Sequence, residues 1–557
     1  MSLLRGQPAM DAAKRILDSA DPFACIEVDP DALAGKPITI LCIGHSQDTA
    51  LIDARQTPEL GELLASQPLF GAYQAKLTHR ALLRTFKTGP ERWACAMLVE
   101  QLIAGGRREP LELDAIAQKY LTKSMPEADE GFDAIRLRTQ GIAQLLQCQI
   151  ESINEEKLRT VSKIEAQAVA PIAEMEEMGM PLDTAKWRSL TQDAQAKLDE
   201  ISRHLQNFMT KNAPKDLFGK ASINLESHAE LKQALNAMGI QVPNTRRDTL
   251  RQLPPPLGPW LTRHSELSKV VSTYGNSFLK YATEHNRIHP SFAQIGASTG
   301  RMACHSPNLQ AIPKDSEHRD CFHSDTGRMM VVADYATCEL RILAEMSGDP
   351  VFREAFARGD DLHSTVATSL FNKPVSKTQN SDLRHRAKAV NFGLVYGMGA
   401  GGLAKTLQVN PQQSRELLNQ YFRTFPKIKD FLENQAYLSL ERGYSETLSG
   451  RRLYLDFDPT DSSARAQAER IAKNMPIQGT SADITKLALA LVWKKTRLIP
   501  DAYIVNAVHD EIVVECNEGD TEEVARVVQQ EMLHAGQTLL KEVPMEVDIE
   551  IGKIWSK

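Results

Sequence analysis

Ala502-Tyr503-Ile504-Val505-Asn506-Ala507-Val508-His509-Asp510-Glu511-Ile512-Val513-Val514 reads as two strands of apolar, β-branched residues joined by a tight acidic turn. Adjacent carboxylates at a hairpin tip repel one another and gain little as packing. A divalent cation removes the conflict, because hard cations such as Mg²⁺ take carboxylate oxygens. A merely solvated acidic turn is the ordinary alternative. The hairpin is therefore a candidate half of a metal site, and the chain has to supply the other half.

A partner lies upstream. Met329-Met330-Val331-Val332-Ala333 is a second strand-like run, ending at Asp334. From Cys338 to Met346 the apolar spacing becomes helical, which sets Asp334 at a strand-to-helix junction. An aspartate there is also an ordinary turn residue or helix N-cap. A third segment runs from Arg384 to Gly397. In it Arg384, Lys388, Phe392 and Tyr396 recur four apart, two cations and then two aromatics along one helical face. Ala387, Val390 and Leu394 fall on the other side and can pack. A cationic end suits a triphosphate and an aromatic end suits a base or sugar. A solvated basic face with two core aromatics fits the spacing equally.

Taken together and in this order, the three segments resemble the polymerase motifs of the family A DNA polymerases, the bacterial DNA polymerase I family. Asp334-Tyr335-Ala336-Thr337-Cys338-Glu339-Leu340-Arg341 is similar to the first motif, Arg384 through Gly397 to the second, and Val508-His509-Asp510-Glu511 to the third. Ser298-Thr299-Gly300-Arg301, Pro307-Asn308-Leu309-Gln310, Gly443 through Arg452 and Gln478-Gly479-Thr480 add to the likeness, which runs from about Ile164 to the C-terminus. It implies an α+β right-hand fold. The expected thumb is about 185–287, the fingers about 346–465, and the palm about 288–345 and 466–557, all within a polymerase domain at 161–557.

The resemblance also implies roles. Asp334 and Asp510 are expected to bridge two Mg²⁺ ions, for which Mn²⁺ can substitute, with the Tyr335 carbonyl as a further ligand and Glu511 auxiliary. Arg384, Lys388 and His363 are expected on the dNTP phosphates, with Lys388 also a proton donor to pyrophosphate. Phe392 is expected by the base and sugar, Tyr396 by the templating base, and Glu339 as the gate against a ribose 2′-hydroxyl. Thr337 stands where the family often has Gln. Arg301, Asn308, Gln310, Arg470, Asn474, Gln478 and His509 match residues that contact primer-template DNA. Of these, Arg470, Asn474 and Gln478 again fall four apart on one helical face. The minor groove offers an acceptor at similar positions on every base pair, so contacts there test pair geometry without reading sequence.

Composition is that of an ordinary globular protein, 42% hydrophobic and 24% charged over 557 residues, enough for at least two domains. Lys+Arg 65 against Asp+Glu 71 gives a net charge of -6. A DNA-binding cleft must then concentrate its basic residues locally. Lys211, Lys215, Lys220, Arg246, Arg247 and Arg251 are candidates in the expected thumb. Eight cysteines are scattered singly, which argues against zinc or a disulfide scaffold and fits a reducing cytoplasm. The resemblance implies a bacterial, phage or plasmid origin. No signal core or membrane span is legible, and a monomer is expected. Pro254-Pro255-Pro256 with Gly258-Pro259 reads as a local rigid loop.

Residues 1–160 read as an α/β domain. Phe23–Val28 and Ile38–Ile43 are strand-like and Arg92–Ile103 is helical. In family A polymerases this position usually carries a ribonuclease H-like 3′–5′ exonuclease. The family's first-strand Asp-x-Glu reads here as Cys25-Ile26-Glu27, its second aspartate as Thr78, and its third as Asp133, with Asp129 where a tyrosine is expected. One or two isolated carboxylates do not hold two metals. The expectation is a degenerate domain without proofreading, and no 5′ nuclease domain. Asp29 or Asp31 is the alternative ligand. Other readings are a polymerase with weak residual exonuclease activity, a specialised repair or lesion-bypass polymerase, a silent DNA-binding scaffold, and a single-subunit RNA polymerase. Glu339 as gate argues for deoxynucleotides.

Overall fold

The computed structural model describes residues 3–20, 22–127, 129, 131–210, 222–314, 317–395 and 397–555. It divides into two compact units. The larger takes Met1–Gly179, Pro290–Gln310 and Gly327–Gly552, and the smaller takes Met180–His289, Ala311–Thr326 and Lys553–Lys557.

In the larger unit the N-terminal residues build a five-stranded sheet in the order Thr49–Asp53, Ile40–Gly44, Cys25–Val28, Phe70–Ala72, Trp93–Cys95. The first three strands are antiparallel and the last two join in parallel. All four residues of Cys25–Val28 are buried, as a central strand covered on both faces requires. Helix Phe132–Glu155 packs across four of the strands. The helix expected over Arg92–Ile103 begins only at Ala96, because Trp93–Cys95 is a strand. Trp93 is fully buried against Phe70 of the adjoining strand, and periodicity alone does not separate a short buried strand from a helical turn.

A second sheet has the order Tyr503–Val508, Glu511–Asn517, Arg328–Tyr335, Val547–Gly552, antiparallel throughout. Its first three strands are near-continuous buried runs, and the sheet packs on helix Thr521–Leu539, which in turn packs on the 35-residue helix Ser462–Thr496. Between the first and third of the motif segments lies a block of helices from Pro350 to Arg442. Their starts are dictated locally. Asp349 and Asn410 cap helices whose first residue is proline, where the missing N–H costs nothing. Phe352, Tyr421 and Phe425, all fully buried, form the aromatic centre of this block.

A buried charge network holds the larger unit together. Arg451 donates to both Asp483 and Glu165, and Lys486 to Glu165 at 2.5 Å. Removing one member of such a set leaves an uncompensated buried charge. A side chain on Gly300 would strike the Arg451 guanidinium, so the Ser298–Arg301 turn rests directly on this network.

The smaller unit is helical. Helix Thr184–Met209 packs along Leu257–Tyr274, and Trp187 stacks on Phe278 with ring centroids 4.2 Å apart. Gly258 and Pro259 lie in the first turn of the latter helix rather than in a loop, a position that tolerates proline because its N–H is unpaired anyway. Arg247 and Arg251 sit on the short helix Arg247–Arg251 with Arg246 at its cap, and Arg247 pairs with Glu266. Lys211, Lys215 and Lys220 lie outside the described residues. Among those described, no helix is long and apolar enough to cross a membrane.

Candidate active site

Strand pairing brings the two motif carboxylates to one end of the second sheet. Val508 pairs with Glu511, leaving His509-Asp510 as a two-residue turn. His509 has φ 57°, the positive value such hairpin turns need at the first central residue. Asp334 stands opposite Glu511, and the Tyr335 N–H donates to the Asp510 carbonyl at 3.3 Å. Tyr335 is pinned in turn, its hydroxyl donating to the Met532 carbonyl at 2.6 Å. Arg341 fixes the turn that follows, through the Ala336 carbonyl at 2.9 Å and Glu546 at 2.5 Å. Glu511 is 1% exposed, whereas Asp334 and Asp510 are half-buried and open to solvent.

Register also sets Asp548 opposite Asp334 on its other side. Sequence reasoning missed this third carboxylate in the row. The alternation Val547-Asp548-Ile549-Glu550-Ile551 announces a strand, but nothing local reveals which strand it joins. Among the described residues no group of three or more His, Cys, Asp and Glu forms a ready metal cage. Mg²⁺ does not demand one. It is commonly held by one or two carboxylates together with substrate phosphates, and the hard oxygens of Asp334 and Asp510 fit that donor set.

The second motif forms helix Ser381–Val395. Ala387 and Val390 are fully buried and Leu394 nearly so, which leaves the Arg384, Lys388, Phe392 row facing outward. Lys388 is exposed, its Nζ 5.8 Å from the Phe392 ring centroid. Arg384 is bidentate to Asp361, Nε to Oδ2 at 2.7 Å and Nη2 to Oδ1 at 2.8 Å. The Arg384 hydrogen bonds hold the Asp361 carboxyl well below the usual carboxylate range. His363 is buried against Phe392, with ring centroids 5.5 Å apart. The Tyr421 hydroxyl donates to Asn391 Oδ1, so Asn391 Nδ2 is the donor to His363 Nδ1 at 3.2 Å. His363 is thus the tautomer with its proton on Nε2. Burial, helped by the positive charges of Arg384 and Lys388 and opposed by Asp361, lowers its pKa to about 4, so it is neutral at pH 7. Tyr396 lies outside the described residues. Gly397, at φ 64°, must be glycine on two counts, since a Cβ there would also meet the Arg470 stem.

The residues matched to DNA contacts divide. Arg301 pairs with Glu339 at 2.5 Å, joining two residues the sequence presents separately. Asn308, Arg470 and His509 are exposed. Gln310 has both ends of its amide engaged, accepting from the Cys304 N–H at 3.1 Å and donating to the Ala507 carbonyl at 3.3 Å. That second bond ties it to the strand leading into the His509-Asp510 turn. Arg470, Asn474 and Gln478 follow one line of helix Ser462–Thr496, from exposed Arg470 to 8%-exposed Gln478. Asn474 Oδ1 is buried with no hydrogen-bond partner among the described residues.

In the N-terminal domain the matched positions look different. Glu27 is 4% exposed and receives Arg138 Nε at 2.9 Å. Cys25 is buried, and burial pushes its thiol pKa far up. The Thr78 hydroxyl donates to the Gln74 carbonyl at 3.3 Å. Asp133 turns to solvent beside Arg136. Asp29 spends its oxygens on the N–H groups of Ala32, Thr39 and Ile40, and Asp31 pairs with Lys36.

The sheet brings Asp334 and the Asp510-Glu511 turn together at one end, and helix Ser381–Val395 carries the row of two cations and an aromatic. The profile of DNA polymerase family A matches residues 189–557, and the chain belongs to that family. DNA polymerase I of Chloroflexus aurantiacus is 32% identical over 481 residues, 82% of this chain and 49% of that protein. The thermostable DNA polymerase I of Thermus filiformis is 30% identical over 533 residues, 90% of this chain and 62% of that one. The chain thus spans about half to three-fifths of the length of these relatives. A solved structure of the POL domain of Pol1 from M. smegmatis, in complex with DNA primer-template and dNTP, matches with a TM-score of 0.85 at 28% identity. That match covers 100% of this chain and 99% of that one.

Proposed function

We propose that this chain is a DNA-directed DNA polymerase that extends a primer 3′ end with dNTPs and does not proofread. The observation that carries the reading is the meeting of Asp334 with the Asp510-Glu511 turn. It occurs in a chain aligned over its whole length with a polymerase domain solved on primer-template and dNTP. Asp334 and Asp510, with the Tyr335 carbonyl, would hold two Mg²⁺ ions, and Glu511 acts from the neighbouring strand. When bound, such ions stabilise charge on the reacting phosphate and favour loss of the primer hydroxyl proton.

The remaining catalysis is positioning and charge. Arg384 and Lys388 hold the β- and γ-phosphates, Arg by paired N–H groups and Lys as a point charge. His363 donates from Nε2. Lys388 hands a proton to the departing pyrophosphate. Phe392 lies against base and sugar, and Glu339 crowds the 2′ position while orienting Arg301 toward the primer terminus. Arg301 and Gln478 contact primer terminus and template in the minor groove, and Asn308, Gln310, Arg470, Asn474 and His509 complete the contact with the duplex. Thumb, fingers and palm take the ranges read from the sequence, and the enzyme acts as a monomer. All eight cysteines are free, in keeping with a reducing cytoplasm.

Loss of proofreading is supported by Arg138. It supplies Glu27 with a fixed counter-charge where the exonuclease reading needs metal. Extension of a 5′-labelled primer, matched or mismatched, tests the proposal. The matched primer should lengthen with dNTPs, and the mismatched primer should not shorten when dNTPs are withheld. A ladder of shortened products lost in Glu27→Ala would contradict the exonuclease part alone.

A further inference from the structure

Arg384 does not face solvent as a free cation. Two of its five N–H groups are taken by the Asp361 carboxylate. That carboxylate is itself anchored. Asp361 caps helix Leu362–Phe371, accepting from the Ser364 N–H at 3.0 Å and from the Ser364 hydroxyl at 2.5 Å. It is bound to the start of its own helix and is not poised to swing away. The pair is only partly exposed, 19% for Arg384 and 28% for Asp361. His363 lies two residues on and senses the charges of Asp361, Arg384 and Lys388 together, so the four form one cluster.

We infer that Asp361 is a positioning residue for the nucleotide triphosphate: it grips the Nε–Nη2 edge of Arg384 so that the Nη1–Nη2 edge is held ready for phosphate. The inference rests on the reading of Arg384 as a phosphate ligand. Two effects oppose each other. The Asp361 charge weakens the pull of the cluster on an anion. Against that, an arginine left alone samples many rotamers and must lose that freedom when it binds, whereas one already clamped loses little. The guanidinium lies between Asp361 and an incoming phosphate, and solvent reaches both charges, so repulsion is screened. Orientation therefore outweighs it. The alternative is a latch, in which Asp361 competes with the triphosphate and its removal tightens binding.

The two ideas differ in sign, and steady-state kinetics on primed DNA separates them. Asp361→Asn keeps a helix cap but loses the charge and the paired acceptor. It should raise KM for dNTP roughly tenfold with little change in kcat, the size expected when most of an arginine's rotamer freedom must be paid at binding. Asp361→Ser also caps the helix but is too short to reach the guanidinium, and should behave alike. Arg384→Ala should raise KM at least as much, and Arg384→Ala/Asp361→Asn should be no worse than Arg384→Ala. A purely structural role for Asp361 would make the two effects add, and additivity overturns the inference. A normal or lowered KM in Asp361→Asn, with Arg384→Ala impaired, also overturns it while leaving Arg384 as a ligand. A normal KM in Arg384→Ala removes the underlying reading and the inference with it.

Discussion

Replacing Arg138 by leucine should destabilise the protein in a pH-dependent way. Arg138 and Glu27 meet at 2.9 Å with side-chain exposures of 11% and 6%. Solvent screening is slight, and the pair behaves as a buried one. Breaking such a pair from one side costs about 3–5 kcal/mol, because the remaining charge has no partner. Here that charge is the Glu27 carboxylate. Burial already raises its pKa against the pull of Arg138, and removing Arg138 raises it further. The sign follows from linkage. A raised carboxyl pKa means the native state binds more protons than the unfolded state, so stability falls as pH rises from the unfolded value toward the folded one. The deficit of Arg138→Leu should therefore be small at pH 5 and full at pH 8. Urea unfolding at both pH values measures it. Glu27→Leu/Arg138→Leu should recover most of the loss, since an apolar pair of similar volume commonly matches a buried ion pair. If Arg138→Leu stays within about 1 kcal/mol of wild type at pH 8, with no dependence on pH, Glu27 is not held by Arg138. The structural case against a working exonuclease then fails.

Asp334→Ala and Asp510→Ala should each abolish extension while primer-template binding measured by fluorescence anisotropy persists, because backbone phosphate contacts dominate DNA affinity. Glu511→Ala should lose less. Phe392→Tyr should raise dideoxynucleotide incorporation strongly in a terminator assay, by supplying a hydroxyl where the substrate lacks one, and equal use of dNTP and ddNTP by wild type would contradict the role given to Phe392. Glu339→Ala should admit ribonucleotides and also weaken extension from the primer end, because it releases Arg301. His363 should stay neutral from pH 8 down to pH 6 in an NMR titration. Its depressed pKa means a stabilising contribution that is complete above its unfolded value of 6.5 and lost as pH falls through about 4.

The segments that carry Asp334, the Asp510-Glu511 turn and the Arg384–Phe392 face are legible because they sit in strong local patterns. The Tyr503–Val514 hairpin, the Met329–Ala333 strand and the Arg384–Phe392 face each declare themselves by periodicity and turn chemistry. What pairs with what was not legible. Asp548 reaches Asp334 through a strand partnership more than two hundred residues apart in sequence, and Asp361 reaches Arg384 through the packing of two helices. The same holds for Arg301 with Glu339 and for Arg138 with Glu27. In each pair the sequence displays the charges but not their distance. The strand at Trp93 is hidden for a related reason, since a run of three residues is too short to show a period.

Extension of a 5′-labelled primer on a DNA template with Mg²⁺, comparing dNTPs with NTPs and wild type with Asp334→Ala, tests the account most directly. Wild type should copy the template with dNTPs and make little or no product with NTPs, and Asp334→Ala should make none with either. No extension by wild type, or extension undiminished in Asp334→Ala, would contradict the claim that Asp334 and the Asp510 turn form a DNA-synthesising centre.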